Sequence, residues 1–522
     1  MSTSAVEQNT DALRGAAIDP DRVVAVVGTG AMGQGIAQVA LVAGHPVRLY
    51  DTLPGRVGEA AAAIGARLDR QVDKGRMTAA DRDAARARLH PAAGLAELSD
   101  AALVVEAVVE RLSVKQELFR ELEGIVSDDC LLATNTSSLS VTAVAGALSR
   151  PGRFVGLHFF NPAPLLPLVE VVSGTATGAD AARRALATVT AWGKTPVSCA
   201  DLPGFIVNRI ARPFYAEAFA LLEDRVADPA TLDAVLRESG GFRMGPFELT
   251  DLIGQDVNEA VTRSVWESFF RSPKFIPSLL QRRLVEAGSL GRKSGRGWYD
   301  YADGAERPRP HTAAPAAPPA YVVAEGELDP APGLLELIAE SGVTLRREPE
   351  DEGTRLILPS GGQLVPVDGQ TAAEYRDVVY FDLALDYRAA TRIALSAAPH
   401  TGERTLQEAV GLFQALGKKV SVIKDAPGMI VARTVAMMID LATDAVAKGV
   451  ATEEDIDTAM RLGVNYPVGP LEWNRKLPLG YAHELLESVD ERVPGGRYAP
   501  GLALFLHTHA SAPDGEGSDP DS

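Results

Sequence analysis

The sequence predicts an α/β domain built on a parallel sheet, an all-α domain after it, and a degenerate second copy of that unit with its own helical C-terminal domain. Three observations carry this expectation. Val23 to Asp51 reads as strand, glycine-rich turn, helix, strand and acid. Short apolar runs then alternate with helical stretches to about 172, and helices take over beyond 201. Finally, segments of the second half repeat the first at a constant offset of 224 residues, as DLPGFIVNRI at Asp201 and DAPGMIVART at Asp425 do.

The opening stretch has a mechanical logic. The apolar run Val23 to Val27 is short enough for a buried parallel strand. Gly28, Gly30 and Gly33 follow in G-x-G-x-x-G spacing, and a helix runs from about Met32 to Ala43. Gly28 permits the tight turn, Gly30 lets a pyrophosphate approach the backbone, and Gly33 lets helix and strand pack closely. Ala31 and Met32 sit where the helix N-terminus presents free N–H groups to phosphates. A second strand, Pro46 to Tyr50, ends in Asp51, whose carboxylate can accept ribose hydroxyls and would repel a 2′-phosphate. A glycine triplet alone is weak in a chain with 48 Gly, and FAD is a rival ligand. The strand before, helix after and acid at the right distance select a Rossmann-type site for NAD.

Bulk properties narrow the function classes. A chain of 522 residues exceeds one ordinary core. Its net charge of −18 argues against nucleic-acid or anionic-membrane partners, and requires any anionic substrate to find a locally basic site. Two cysteines, Cys130 and Cys199, give no disulfide framework and no metal cluster, so no metal is expected. The first twenty residues lack a basic segment and an apolar core, and no uninterrupted apolar run could span a bilayer. A cytoplasmic protein is the resulting expectation.

From Asp51 to about His90 the chain reads as helix, with Arg67, Arg70, Lys74 and Arg76 forming either a solvated face or a landing site for phosphates. Strands are expected at Ala101 to Val105, Leu131 to Ala133, Phe154 to Leu157 and Val169 to Val172. Glu110 and Lys115 enter the helix after the first of these, and Ser137 sits in a polar turn past the second. Ligands of open α/β sheets bind outside the carboxyl ends of strands, so that serine is well placed. His158 ends the third strand and Glu170 lies inside the fourth. Each is ordinarily structural when alone. Ionisable groups in apolar strands need partners, however, and a carboxylate that fixes the imidazole tautomer makes a general base.

Past Leu202 a Pro-Gly turn opens a long helix with Asn208 in its first turns, inside the usual capping position and free to face a ligand. Further helices run to about Glu286, and GSLGRKSGRGWYDY closes the unit, with Arg292, Lys293 and Arg296 either a basic surface loop or an anion site.

Together the motifs VGTGAMGQGIA, VVEAVVERLSVKQELF, ATNTSSLS, GLHFFNPAPLLPLVEVV, DLPGFIVNRI, MGPFELTDLIG and GRKSGRGWYDY resemble the L-3-hydroxyacyl-CoA dehydrogenase family, from about Asp21 to Tyr301. The resemblance implies NAD-dependent oxidation of (S)-3-hydroxyacyl-CoA, with His158 as base, Glu170 holding it, and Ser137 and Asn208 binding the substrate oxygens. It implies that Glu110, Lys115, Asn161 and Lys293 line the cofactor and CoA channel, with Lys74 a weaker match for the CoA phosphates. Two-copy proteins of this build resemble bacterial enzymes acting on 3-hydroxyadipyl-CoA in phenylacetate degradation, and 3-hydroxybutyryl-CoA dehydrogenases of fatty-acid metabolism; no residue decides between those acyl groups. The rivals are another β-hydroxyacid dehydrogenase, which predicts a catalytic lysine instead, and a non-catalytic NAD- or CoA-binding scaffold.

The expected organisation is a disordered tail (1–20), a Rossmann domain (21–200), a helical substrate and dimerisation domain (201–301) and a Pro/Ala linker (302–320). A Rossmann-like remnant (321–425), a second helical domain (426–508) and an acidic disordered tail (509–522) follow. In the second copy His158 faces Asp382, Glu170 faces Ala394 and Asn208 faces Ala432, and no glycine fingerprint lies between Ala320 and Gly369. The second copy is therefore expected to keep the packing and lose the site. Either a homodimer or a monomer whose second copy mimics a partner subunit fits this pattern.

Overall fold

The computed structural model describes residues 16–348 and 354–510. The chain divides into two compact units, Met1–Asn208 with Gly449–Val464, and Arg209–Lys448 with Asn465–Ser522. This division differs from the expected one: a helix of the second repeat, Glu453–Gly463, belongs with the first sheet. Both expected tails lie largely outside the described residues, and their inner ends are ordered. Ile18 is 6% exposed and donates its backbone N–H to Thr188 Oγ1, while His509 and Ala510 complete the helix Leu502–Ala510. Among the described residues no helix is long and apolar enough to cross a membrane.

The first unit is an eight-stranded sheet of β1 (Val23–Val27), β2 (Val47–Tyr50), β3 (Leu89–Pro91), β4 (Ala101–Glu106), β5 (Leu131–Thr134), β6 (Phe154–Phe159), β7 (Leu168–Ser173) and β8 (Thr195–Ala200). Its order is β3-β2-β1-β4-β5-β6-β7-β8, parallel throughout except where β7 runs against β6. The chain reverses direction across the sheet between β1 and β4, the place where open α/β sheets bind ligands. Helices cover the sheet, which is why β4 and β5 are buried along their whole length and read as apolar runs. Leu103, Val105 and Leu131 are fully buried, each stabilising the fold by roughly 1.5–3 kcal/mol. The helical reading of 51–90 resolves into Arg56–Asp73 and Ala79–Ala87, with β3 after them. Helix Glu453–Gly463 packs on β7 and β8; Ala200 N–H donates to Val450 O at 2.8 Å.

The second unit holds a seven-stranded sheet. Its strands are β9 (Tyr321–Glu325), β10 (Thr344–Glu348), β11 (Arg355–Ile357), β12 (Gln363–Pro366), β13 (Val378–Phe381), β14 (Arg392–Ala397) and β15 (Lys419–Lys424). The order β10-β9-β11-β12-β13-β14-β15 mixes antiparallel and parallel pairs. Its last two strands repeat β7 and β8 residue for residue at the 224 offset, and helix Glu403–Ala415 repeats Ala179–Ala191 in the same way. Strand β13 repeats the start of β6 at this offset and keeps its antiparallel register, and upstream of β13 the correspondence ends. A β11–β12 hairpin stands in that part of the sheet, so the strand–glycine turn–helix half is absent from the second copy among the described residues.

The Pro/Ala stretch is fixed to this sheet rather than loose. Ala313 N–H donates to Val420 O and Ala316 N–H to Gln414 Oε1. Gly411 is what permits the approach, because a Cβ there would stand 2.0 Å from Ala317 O. The helices of this unit include Arg212–Glu223 and Val431–Ala447, packed on each other.

Candidate active site

The glycine turn behaves as its spacing predicts. Gly28 has φ +100°, and a Cβ on it would stand 2.5 Å from Ala107 O. A Cβ on Gly33 would stand 1.9 Å from Gly28 O. Gly30 differs: nothing lies within 4 Å of where its Cβ would be, which leaves the opening a phosphate needs. It caps helix Ala31–Val42, whose first turn carries no acid and whose N-cap makes no side-chain bond.

Asp51 ends β2 beside this turn. Its Oδ2 accepts from Thr29 N–H (2.9 Å) and Thr29 Oγ1 (2.6 Å), and its Oδ1 from Leu53 N–H. Burial pushes this carboxyl up, but the bonds from Thr29 and Leu53 outweigh it and hold the pKa below the usual carboxylate range. The group stays an anion that welds the phosphate turn to the end of the second strand.

A cavity of about 540 Å³ opens on the turn. Gly30, Ala31 and Asn161 line it, together with Arg56, Arg67, Arg70, Lys74 and Arg76. The four cations Arg67 to Arg76 therefore share one cavity. Arg67 donates to Gln38 and Gln34, and its buried Nη2 has no partner. Burial, with Arg70 nearby, lowers its pKa. An open glycine turn, an acid at the ribose position and clustered cations with an orphaned donor fit a phosphate-bearing dinucleotide or nucleotide thioester.

At the far side of the switch point the strands deliver the ionisable pair. His158 and Glu170 are direct ladder partners on antiparallel β6 and β7, which sets their side chains on the same face. His158 Nδ1 lies 2.5 Å from Glu170 Oε2. Glu170 is fully buried and its Oε1 accepts from Ile206 N–H (3.0 Å) and Val207 N–H (2.9 Å), at the start of helix Val207–Ile210. One carboxylate thus caps a helix and holds an imidazole. The ring rests against Phe160 and Phe205, with centroids 4.5 and 5.8 Å away, and Nε2 has no protein partner among the described residues.

Two loops complete the surroundings. Asn208 Nδ2 donates to Ser137 O at 3.2 Å, so helix Val207–Ile210 grips the serine loop. Glu110 Oε1 accepts from Thr136 Oγ1 (2.6 Å), Ser137 N–H (3.0 Å) and Ser138. Burial raises the Glu110 carboxyl, but Lys115, Thr136 and Ser137 together bring it below its usual range. Lys115 is 1% exposed, with Nζ 2.6 Å from Glu106 Oε1 and 3.2 Å from Glu110 Oε2. Its buried ammonium answers the buried Glu106 and the exposed Glu110, and through Glu110 it supports the serine loop. Lys293 lies in the other unit, where it pairs with Asp256 at 2.5 Å.

Sequence reasoning missed Asp201. Its carboxylate accepts from Ser140 Oγ, Val141 N–H and Thr142 N–H at 2.7–3.0 Å, capping the short helix that follows the serine loop. The signal was available, because Asp425 occupies the equivalent place in the repeat. Neither cysteine belongs to the site; both are buried and free, and burial pushes the Cys130 thiol up to about 12.

The fold and the site define an NAD-dependent dehydrogenase of the Rossmann class. Residues 23–202 match the 3-hydroxyacyl-CoA dehydrogenase NAD binding domain, and residues 204–301 and 428–513 both match the C-terminal domain of that family. Residues 364–427 match the 3-hydroxybutyryl-CoA dehydrogenase reduced Rossmann-fold domain. The chain is 43% identical over 484 residues to a 3-hydroxyadipyl-CoA dehydrogenase of Escherichia coli, covering 92% of this chain and 96% of the relative. A solved 3-hydroxybutyryl-CoA dehydrogenase from Escherichia coli superposes with a TM-score of 0.85 at 42% identity, covering 94% of this chain and 98% of that one. A probable 3-hydroxybutyryl-CoA dehydrogenase of Deinococcus radiodurans is 41% identical over 276 residues, 53% of this chain and 99% of that protein. The chain belongs to the 3-hydroxyacyl-CoA dehydrogenase family.

Proposed function

We propose that this enzyme oxidises (S)-3-hydroxyacyl-CoA to 3-oxoacyl-CoA at the His158–Glu170 pair, on short, medium or dicarboxylic acyl groups such as 3-hydroxybutyryl or 3-hydroxyadipyl. NAD, when bound, supplies the acceptor for two electrons and the hydrogen of C3. Gly30 and the N-terminus of helix Ala31–Val42 would hold its pyrophosphate, and Asp51 its ribose. Lys74 and Arg67, Arg70 and Arg76 are the cations suited to the remaining phosphates. Asn161, on the cavity wall, is suited to the cofactor, and Glu110 and Lys115 act through the serine loop that they brace.

The C3 hydroxyl is deprotonated by His158 Nε2. Glu170 Oε2 accepts from Nδ1–H, which leaves the lone pair on Nε2 and stabilises the imidazolium once it forms. Ser137 and Asn208 hold the hydroxyl and thioester oxygens in a reactive orientation. The His158–Glu170 contact of 2.5 Å, with the carboxylate anchored by two backbone N–H groups, carries this reading.

The acyl group is proposed from the relatives: the full-length Escherichia coli relative is named for 3-hydroxyadipyl-CoA, and the half-length relative for 3-hydroxybutyryl-CoA. The packing of helix Glu453–Gly463 on β7 and β8 supports a second copy that takes the place of a partner subunit, with a homodimer as the alternative.

His158→Gln tests the mechanism. Turnover of 3-hydroxybutyryl-CoA should fall by about 10³-fold while NAD affinity and circular dichroism hold. A rate within a factor of three of wild type ends the mechanism.

A further inference from the structure

The loop between β6 and β7 forms part of the cavity that opens on the glycine turn. Residues 161–165 line it, together with Gly30 and Ala31. The loop is seated against the helix of that turn, because a Cβ on Gly35 would stand 3.1 Å from Ala163 Cβ and 3.2 Å from Pro164 Cδ. A loop has no ladder to hold it, and its sheltered carbonyls still need donors. Within the loop, Leu165 N–H and Leu166 N–H both donate to Pro162 O, at 2.9 and 3.1 Å.

The outer support is Lys194, just before β8. Its Nζ donates to Ala163 O at 2.6 Å and to Leu166 O at 2.9 Å. One ammonium thus bridges two carbonyls three residues apart. Bonds from a charged donor are roughly twice as strong as neutral ones, so this clamp is firm. Lys194 is half-buried, and burial lowers its pKa; among the described residues no carboxylate pairs with it. It is not on the cavity wall itself, so it acts through the loop.

The second repeat supplies an internal control. Lys418 stands 224 residues further on, and its Nζ donates to Arg388 O at 3.0 Å and to Ala390 O at 2.6 Å. Ala390 is the counterpart of Leu166 at that offset. Both repeats therefore keep the clamp. Among the described residues, only the first repeat sets a glycine turn beside the clamped loop.

We propose that Lys194 is a positioning residue for the cavity. By fixing Ala163 and Leu166 it sets the place of the 161–165 wall relative to the glycine turn, and so the affinity for a phosphate-bearing ligand. That ligand is either NAD or the CoA portion of the thioester, an assignment that rests on the function proposed above. Glu170 holds His158 independently of this clamp, so the effect falls on binding and spares kcat.

Calorimetry on the full-length protein, with NAD and with coenzyme A in separate titrations, tests this without turnover. In Lys194→Met the Kd for NAD, for coenzyme A or for both should rise tenfold or more. Whichever rises identifies the ligand that the wall serves. Its KM should rise alongside, with kcat on 3-hydroxybutyryl-CoA within threefold of wild type. Lys194→Arg can still donate to both carbonyls and should recover most of the affinity. Lys418→Met should lower Tm by a similar amount and leave both Kd values within twofold of wild type.

Kd values unchanged for both ligands in Lys194→Met overturn the proposal. An equal loss of affinity in Lys418→Met also overturns it, since the effect would then be one of stability. If Lys194→Met does not fold, Lys194→Gln, which keeps one donor group, is read by the same criteria. A wild-type protein that binds NAD but turns over no hydroxyacyl thioester overturns the proposed function alone, because the titrations need no turnover.

Discussion

The two repeats share their last strands at a fixed offset of 224 residues, yet they solve one local problem in different ways. Each sends a chain from the sheet into a helix whose first N–H groups are buried. In the first repeat Glu170 on β7 accepts from Ile206 and Val207, and its second oxygen holds His158 across the ladder. In the second repeat the position facing Glu170 is Ala394, and the acid has moved to the neighbouring strand. Asp382, standing where His158 stands, accepts from Ile430 and Val431 on one oxygen and from Ala432 and Leu383 on the other. Ile430 and Val431 are the counterparts of Ile206 and Val207. The helix N-terminus keeps its carboxylate in both repeats, whereas the imidazole is kept in one. Capping belongs to the fold, and the base belongs to the chemistry.

Substitutions at Glu170 should separate those duties most strongly. Glu170→Gln keeps an oxygen for the helix and loses the charge that orients His158. Turnover should drop by about 10²- to 10⁴-fold with stability within about 1 kcal/mol of wild type. Glu170→Ala should add a loss of about 3 kcal/mol by leaving two buried N–H groups unpaired. Urea unfolding beside steady-state rates reads both quantities; equal stability in the two variants would break the division of labour.

At Asp382 the expected effect is on stability alone. Asp382→Ala should cost about 3 kcal/mol or more and leave per-molecule turnover within a factor of three. Burial raises this carboxyl to about 6 although four backbone N–H groups pull it down. The folded protein therefore keeps the proton to a higher pH than the unfolded chain. The stability this group contributes is present below about pH 4 and lost as pH rises through about 6, a trend that Asp382→Asn should lack. Urea midpoints at pH 4.5 and 7 for the two proteins measure it.

The smallest effect sharpens the comparison. Asp201 and Asp425 do equivalent work, the first capping the turn after the serine loop and the second accepting from Ala372 N–H, Ala373 N–H and Ser396 Oγ. Asn at either should lower stability by a similar 1–2 kcal/mol, but only Asp201→Asn should also raise KM or lower kcat, by about threefold. An equal kinetic change at both would remove the link between Asp201 and the serine loop.

Much of this was legible in the sequence, for physical reasons. Strand β1 and the glycine turn read correctly because buried parallel strands are unbroken apolar runs and the turn tolerates only glycine at Gly28 and Gly33. His158 and Glu170 could be paired because an ionisable group in an apolar strand needs a partner, and the β6–β7 ladder sets the two opposite each other. Strand β8 was missed because Thr195, Pro196 and Ser198 give it a mixed surface, and short β3 because His90 and Pro91 are exposed. Asp201 was unreadable alone, since its partner Ser140 lies 61 residues away. In the second repeat, Asp382 read as a lost histidine. Only the backbone N–H groups of Ile430, Val431 and Ala432 show it as a cap retained by other means.

The central claim is that one repeat carries the cofactor site and the base, and that the other carries the packing alone. Calorimetric titration of the full-length protein with NAD tests it most directly. The account predicts one NAD per chain, abolished by replacing Gly30 with a bulky residue such as Leu. Two NAD per chain, or binding that survives Gly30→Leu, would contradict it.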